Sequence, residues 1–260
     1  MERRGASASQ QQAVVLSLGW RSAQPGPRGR VVNPGVLPAE EPANEGKWQL
    51  PRGPHKLPRE VVAGNQRQRL MAGAARALAT HGYAEMAVAN ILTEAGVSRT
   101  TFYENFDNKR ECVLAAHEEA FDRLSGELFR ACAAESEWTA KIVAGIGAAI
   151  GFAVRGPEEA QLLIVDAVAA DPTLASRVLA SNDYLVGLLR NGREKCPRAT
   201  ILPELTERAL VGATTSIIGM RLLSGQADQL ADLEPQLAQL LLMPYIGVEE
   251  ARRVAFDSVS

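Results

Sequence analysis

The stretch EAGVSRTTFYENFDNK, residues 94–109, carries the most specific pattern in this chain. It places a glycine between two short helix-like segments, and the second of these holds two adjacent threonines and three aromatic residues. Gly96 can adopt the left-handed backbone that reverses a chain without a Cβ clash, and Ser98 is a good N-cap for the segment that follows. The pattern predicts a helix-turn-helix over about residues 87–106.

Apolar and polar residues fall on opposite faces of the predicted second helix. Phe102 and Phe106 have an inward spacing typical of core residues. Together with Val97 they are expected to pack on Ile91 and Leu92 of the preceding helix. The outward positions are Arg99, Thr100, Thr101, Tyr103 and Asn105.

These outward side chains suit a nucleic-acid surface, because the major groove of DNA admits one α-helix whose first residues reach the base edges. Arg99 can pair with guanine, and Tyr103 can donate to a phosphate. A solvated charge is the alternative for Arg99, and surface packing is the alternative for Tyr103. For Arg67 and Arg69, a phosphate contact and a solvated face explain the pattern equally well. The predicted DNA contacts are Ser98, Arg99, Thr100, Thr101, Tyr103, Asn105, Lys109, Arg67 and Arg69.

Helical periodicity extends on both sides of this motif. A first helix is predicted from Arg59 to His81, with Gly82 as its C-terminal glycine. Asp107 is expected to cap a long helix that runs to about Arg130. Later helices are predicted near 138–154, 158–169, 173–192, 204–223 and 228–242, separated by proline and glycine. No strand-like alternation persists in the sequence, so the predicted fold class is all-α.

Composition excludes several classes of protein. The chain has 260 residues, 46% of them hydrophobic, and its longest uncharged apolar run, residues 142–154, is too short to span a bilayer and suits a buried helix. The three cysteines form no CxxC pair, which favours a reducing cytosol over a disulfide framework. The apolar segment near the N-terminus is a poor match to a secretion signal. We therefore expect a cytoplasmic protein with no membrane partner, located at the nucleoid when bound to DNA.

The run GYAEMAVANILTEAGVSRTTFYENFDNKRECV, residues 82–113, resembles the DNA-binding domain of tetracycline-repressor (TetR)-type transcriptional regulators. The matching positions are Gly82, Tyr83, Ala95, Gly96, Val97, Ser98, Tyr103, Phe106 and Lys109. Two positions depart from the family pattern. Ala87 replaces the threonine that opens the second helix and touches a phosphate, and Leu92 stands where a small residue is usual.

Composition and the resemblance together predict three regions along the chain. Residues 1–57, which hold eight Lys or Arg against four Asp or Glu, form a disordered basic tail. Residues 58–124 form the helix-turn-helix DNA-binding domain, and residues 125–260 form a regulatory and dimerisation bundle. The resemblance further implies an Ω-shaped homodimer, a double-stranded operator with two half-sites and a small-molecule effector.

The dimer is expected to form through the helices near 204–223 and 228–242, because their apolar stripes need a partner beyond one subunit. The charge substitution Leu237→Glu is expected to split it. Small and bulky residues of the C-terminal part together suggest a pocket for a hydrophobic or amphipathic ligand, although each residue alone is better explained by a filled core. The pocket candidates are Phe121, Trp138, Gly147, Gly151, Phe152, Tyr184 and Met220.

The sequence carries no nucleophile signature, phosphate loop or cluster of histidines, so we expect no catalytic residue, no metal and no cofactor. The leading interpretation is a regulator, most simply a repressor that its ligand releases from DNA. A helical enzyme or ligand carrier with an incidental helix-turn-helix is the runner-up. An activator, or a regulator controlled by a protein partner, would have the same fold.

Overall fold

The structure, a computed structural model, describes residues 59–166 and 172–257. The predicted basic tail lies outside these residues. Within them the chain is helical and has no strand, as the sequence predicts. The α-helices are α1 (Arg59–Glu85), α2 (Val88–Ala95), α3 (Arg99–Asn105), α4 (Lys109–Ala133), α5 (Trp138–Arg155), α6 (Pro157–Gln161), α7 (Pro172–Arg190), α8 (Thr206–Leu223), α9 (Glu234–Ile246) and α10 (Val248–Asp257).

Short-range backbone chemistry sets the boundaries of the first three helices. Gly82, at φ 68°, kinks α1 near its end, and Gly96, at φ 61°, closes α2 in the left-handed region. The Ser98 hydroxyl accepts a hydrogen bond from the Thr101 N–H, so Ser98 caps α3 as predicted. Ala87 opens α2 without a side-chain cap, and the Asn90 side chain compensates by accepting the Ala87 N–H at 2.8 Å.

The predicted cap of α4 is wrong by one residue. Asn108, rather than Asp107, caps the helix, because its side-chain oxygen accepts the Glu111 N–H at 3.0 Å. Asp107 lies in the preceding bend, where its N–H donates to the Glu111 carboxylate at 2.8 Å. The two bonds together form a reciprocal cap that fixes the angle between α3 and α4.

The helix-turn-helix is held by a hydrophobic core, here called the N-terminal cluster, that includes Leu70, Leu78, Ile91, Phe102 and Phe106. All five are almost fully buried, which confirms the inward assignment of the two phenylalanines. Two residues from further along the chain, Leu162 and Val178, belong to the same cluster. The helix α3 therefore shares one hydrophobic cluster with residues of later elements, and the predicted division at residue 124 stays a prediction.

The later helices differ from prediction mainly at their ends. The helix predicted over 158–169 is the short α6 followed by a π-helical turn, Leu162–Asp166. The helix predicted over 228–242 starts as a 3-10 segment, Ala227–Leu233, and continues as α9 to Ile246 with Pro244 inside it. Two further 3-10 turns, Asn191–Glu194 and Pro197–Ile201, connect α7 to α8.

A buried charge network joins this connection to α8 and α9. The Glu207 carboxylate has no exposed side-chain surface and accepts two hydrogen bonds from Arg193, at 2.6 and 3.0 Å, and one from the Tyr245 hydroxyl at 2.9 Å. Burial alone raises the pKa of Glu207, but the hydrogen bonds from Arg193 and Tyr245 outweigh it and hold the pKa below its ordinary value. The carboxylate is therefore charged and satisfied in the folded protein.

The helix α5 is long and apolar enough to cross a membrane by length and composition alone. In this structure it lies in the C-terminal core, where Val143, Ile146, Ile150, Phe152 and Ala153 are buried. Core helices of globular proteins pass the same composition test, and this position agrees with the buried helix predicted for residues 142–154.

Candidate nucleic-acid interface and ligand cavity

The recognition helix α3 presents three of its predicted reading residues to solvent. Arg99, Thr100 and Tyr103 are exposed, and Tyr103 keeps 48% of its surface although it is an aromatic residue. The Arg99 guanidinium carbon lies 5.7 Å from the centre of the Tyr103 ring. Arg99 and Tyr103 therefore form one surface at the N-terminal half of α3, the half that enters a major groove in helix-turn-helix proteins.

Three other predicted contacts are used within the motif itself. The Ser98 hydroxyl is the cap of α3 and lies 2.9 Å from the Thr101 hydroxyl, which is half-buried. The Asn105 amide donates to the Thr101 carbonyl at 2.8 Å. These bonds hold α3 in shape, so any role for Ser98, Thr101 and Asn105 at DNA would come in addition to a structural one.

The predicted phosphate-binding cations also have intramolecular partners. Arg67 donates to the Asn105 carbonyl at 2.9 Å and stacks 4.2 Å above the Phe106 ring, while Arg69 donates to the carbonyls of Ala95 and Gly96, both at 2.8 Å. Both arginines thereby bind the C-terminal ends of α2 and α3, where helix carbonyls lack partners. Both arginines stay only partly exposed, so they are not purely solvated charges, and their phosphate contact stays a prediction.

Lys109 has a comparable structural position at the start of α4. Its ammonium donates to the carbonyls of Tyr83 and Met86, at 2.9 and 2.8 Å, and lies 4.7 Å from the Tyr83 ring. These contacts tie α4 to the segment that links α1 to α2. Sequence reasoning missed this role, because the partners are backbone carbonyls more than twenty residues away and carry no side-chain signature.

The regulatory part contains an apolar cavity of about 160 Å³ between α4, α5, α7 and α8, which is partly open to solvent. Phe121 and Phe152, two of the predicted pocket residues, line it. Most of the other lining side chains are aliphatic, and the polar ones are few: Cys132, Lys141, Ser181, Asn182, Thr214 and Thr215. A concave apolar space with a small number of polar groups is the usual form of a small-molecule site.

The other five predicted pocket residues do not line this cavity. Trp138 packs on Tyr245, with ring centres 4.8 Å apart, and the Tyr184 ring packs edge-on against the Phe121 ring, with centres 6.3 Å apart. The predicted role of Met220 is wrong because its side chain is 58% exposed. Gly147 and Gly151 face charged side chains instead of empty space, since a Cβ there would lie 2.8 Å from Glu234 and 2.9 Å from Arg155.

The cavity thiol is poorly suited to redox sensing. Burial raises the pKa of Cys132, and the nearby Lys141 only partly opposes this effect. Because the thiolate is the reactive form of cysteine, a raised pKa keeps Cys132 inert at neutral pH. Cys112 in the N-terminal cluster is still less reactive, since burial raises its pKa to about 12.

Two contacts connect the cavity walls to the DNA-binding part. The helix α4 begins beside the recognition helix and lines the cavity further along, at Phe121, Leu124 and Leu128. In the π-helical turn, Leu162 packs into the N-terminal cluster whereas its neighbours Leu163 and Ile164 line the cavity. The cavity walls therefore include residues that are adjacent in the chain to members of the N-terminal cluster.

His117 lies on α4 and is fully buried. Neither of its ring nitrogens has a hydrogen-bond partner among the described residues. Burial, with a smaller contribution from the positive charge of Arg177, lowers the pKa of His117 from 6.5 to about 4. Arg177 itself donates to the Leu114 carbonyl at 3.2 Å and to Glu118 at 3.3 Å. The histidine is therefore neutral at physiological pH.

This histidine is expected to make the protein less stable in mild acid. Because the pKa is lower in the folded state, the unfolded chain binds the proton more tightly, so stability falls as pH drops from about 6.5 towards 4. Between pH 7 and pH 5 the loss from this group is about 2 kcal/mol. His117→Leu should remove that part of the pH dependence in urea unfolding, whereas His81→Leu, at an exposed histidine, should keep it. If the free energy of unfolding depended on pH in the same way for wild type and His117→Leu, the lowered pKa of His117 would be contradicted.

The comparisons with known proteins agree with this geometry. The family model described as bacterial regulatory proteins of the tetR family matches residues 70–116, which include the whole helix-turn-helix. No curated protein is similar enough to this chain to count as a relative.

Several solved structures share the fold. The fatty acid degradation regulator FadR from Bacillus halodurans has a TM-score of 0.60 at 19% identity, covering 68% of this chain and 94% of its own. A TetR-like transcriptional regulator from Rhodococcus sp. RHA1 has a TM-score of 0.57 at 22% identity, covering 72% and 97%. The transcriptional regulator FadR from Bacillus subtilis, in complex with stearoyl-CoA, has a TM-score of 0.55 at 18% identity, covering 68% and 98%.

These findings confirm the resemblance to TetR-type proteins: residues 70–116 match the model of bacterial regulatory proteins of the tetR family, and the described chain shares its all-α fold with solved TetR-type regulators.

Proposed function

We propose that this protein is a cytoplasmic repressor that binds a pseudo-palindromic operator as a homodimer and leaves the DNA when a small hydrophobic or amphipathic ligand enters the cavity. TetR-type regulators bind DNA and small effectors, form dimers and are generally not enzymes. The repressor role, the operator and the ligand release are the parts that we propose for this chain.

The single observation that carries the DNA-binding half is the exposed Arg99–Tyr103 surface on α3. Arg99 has no carboxylate partner among the residues that the structure describes, and its neighbours Thr100 and Tyr103 are uncharged. An exposed arginine at the start of a recognition helix fits the bidentate reading of guanine. We propose Arg99, Thr100 and Tyr103 as the principal DNA contacts, and Ser98, Thr101, Asn105, Lys109, Arg67 and Arg69 as further predicted ones.

Arg99→Ala is expected to weaken binding to the best operator by about 1–3 kcal/mol and to relax base preference at one position in each half-site. The reason is that a bidentate contact to one base is lost while the fold is untouched. Fluorescence anisotropy with a panel of single-base operator variants measures both effects.

Lys109→Ala provides the contrast for this experiment. Because Lys109 holds two backbone carbonyls, its loss should lower the melting temperature, and any loss of affinity should be the same for every sequence. A uniform loss for Arg99→Ala, with no change in base preference, would refute the base-reading role of Arg99.

The ligand half of the proposal rests on the cavity and its walls. The cavity lies beside α4 and the π-helical turn, and both of these elements contribute residues to the N-terminal cluster. A ligand shifts an equilibrium only if it binds the two arrangements with different affinity, and such coupling is typically about 1–3 kcal/mol. The acyl ligand of the Bacillus subtilis structure is in keeping with an apolar effector here. Release is tested by adding candidate compounds to the preformed protein–operator complex.

The dimer is proposed to form through one exposed face of α8. That face carries small residues: Gly212 and Ala213 lie three and four residues after Ala209, and Ser216 lies three residues after Ala213. The large apolar residues Leu205 and Met220 lie at its two ends. Leu205 is 71% exposed and Met220 is 58% exposed, which is unusual for large apolar side chains. Small residues allow two helices to approach closely, so this face is suited to a second copy of the chain.

Most leucines predicted for the dimer contact are instead buried within one subunit. Leu210, Leu230, Leu237 and Leu241 are all at most 9% exposed and belong to the C-terminal core. Leu237→Glu is therefore a wrong test of the dimer, because a charge at that position would disrupt the core of each subunit.

A further inference from the structure

We propose that the effector is an anionic amphiphile, whose apolar chain fills the cavity and whose acid group pairs with Lys141. This inference rests on the proposed function, and it specifies the charge of the ligand that the function leaves open.

Lys141 is the only charged residue among the described residues that line the cavity. No aspartate or glutamate lies in that wall, and no described carboxylate forms an ion pair with Lys141. A cationic ligand would meet an uncompensated like charge in apolar surroundings, which is unfavourable. An anionic ligand would gain a charge-assisted hydrogen bond.

The position of Lys141 within its helix favours the same sign of charge. Lys141 lies in the first turns of α5, where the helix dipole stabilises a negative group. Its ammonium is close enough to Cys132 to lower the thiol pKa, which places the charge at the Cys132 end of the cavity. Glu137, the nearest acid along the chain, is exposed and does not line the cavity.

The remainder of the cavity offers space for an apolar chain. Phe121, Leu128, Ile146, Phe152 and Ile218 form its walls. The Thr214 hydroxyl, on the α8 wall, is buried without a hydrogen-bond partner among the described residues. Buried hydroxyls are normally paired, so an unpaired one in a cavity wall is a group that a ligand oxygen can satisfy.

The test compares three ligands with the same alkyl chain and different heads: dodecanoate, dodecanol and dodecyltrimethylammonium. Binding to the full-length protein is measured by calorimetry below the micellar range, without DNA. We expect dodecanoate to bind about tenfold more tightly than dodecanol, because one charge-assisted hydrogen bond contributes about that difference in affinity. The cation should bind most weakly of the three.

Substitutions at Lys141 separate charge from packing. Lys141→Ala should weaken the binding of dodecanoate about tenfold and change the affinity for dodecanol by no more than about twofold. Lys141→Glu should reverse the preference, so that the cation binds more tightly than dodecanoate. Lys195→Ala, at an exposed lysine outside the cavity, should change none of the three affinities. Melting temperatures close to wild type show that the variants are folded.

Two results would overturn the inference. The first is equal binding of dodecanoate and dodecanol to the wild type, and the second is an equal loss of both ligands in Lys141→Ala. If dodecanol releases operator DNA as well as dodecanoate does, this inference fails and the proposed function stands. If no ligand of the series binds or releases DNA, the ligand half of the proposed function fails together with this inference.

Discussion

Glu207→Ala is expected to lower the free energy of unfolding by about 3–5 kcal/mol, the largest stability effect that we predict for a single side chain. The substitution removes a fully buried carboxylate that accepts hydrogen bonds from Arg193 and Tyr245. The Tyr245 hydroxyl, on a residue that is only 1% exposed, would then have no acceptor. Because this network joins the 3-10 connection, α8 and α9, its loss should destabilise the whole C-terminal core.

The matched control is Asp183→Ala. Asp183 pairs with Arg208 at 2.8 Å, but both side chains are at least half exposed, so the expected loss is less than about 1 kcal/mol. Urea unfolding at neutral pH measures both variants. If Glu207→Ala and Asp183→Ala lowered the free energy of unfolding by similar amounts, burial of the Glu207 network would contribute little to stability.

Ala213→Arg is expected to convert the dimer into monomers and to weaken operator binding by roughly 100-fold or more. Ala213 lies in the middle of the exposed small-residue face of α8, where an arginine would prevent the close approach of a second helix. Each subunit would keep its own half-site contacts, but the gain from binding two half-sites together would be lost.

Ala133→Arg, at an exposed alanine near the end of α4, is the control for added charge. It should remain dimeric and bind the operator like the wild type. Light scattering and gel shift give the two readouts. A wild-type protein that is monomeric at micromolar concentration, or an Ala213→Arg protein that stays dimeric, would contradict the proposed interface.

The helix-turn-helix was predictable because its determinants are local. Gly96 and Ser98 act on backbone groups within four residues, so their effects can be predicted from the sequence, and both are confirmed. The inward spacing of Phe102 and Phe106 needs only the period of one helix, and it is confirmed as well.

The cavity was less predictable because its walls come from several separate helices. Small glycines such as Gly147 and Gly151 suggested empty space, yet flexible charged side chains already occupy that space. The predicted apolar stripe of α8 mixed the buried Leu210 with the exposed Ala213 and Met220, and the proposed dimer contact stays a prediction. Which side faces the core depends on neighbouring helices, and periodicity alone does not contain that information.

The polar contacts illustrate the same limit. Lys109, Arg67 and Arg69 are basic residues near a DNA-binding motif, so composition favours phosphate contacts. Their partners are backbone carbonyls at helix ends, and a pattern of side chains does not predict such contacts. Arg99, Thr100 and Tyr103 are therefore the residues that we propose as the principal reading surface, because they are the exposed predicted contacts on α3 itself.

Selection of bound DNA from a random double-stranded pool tests the central claim most directly. We expect the wild-type protein to enrich one sequence with two inverted half-sites. When the selection is repeated with Arg99→Ala, base preference should be lost at one position in each half-site. Enrichment of no sequence by the folded wild-type protein, or of a site without two-fold symmetry that is read equally well by Arg99→Ala, would contradict it.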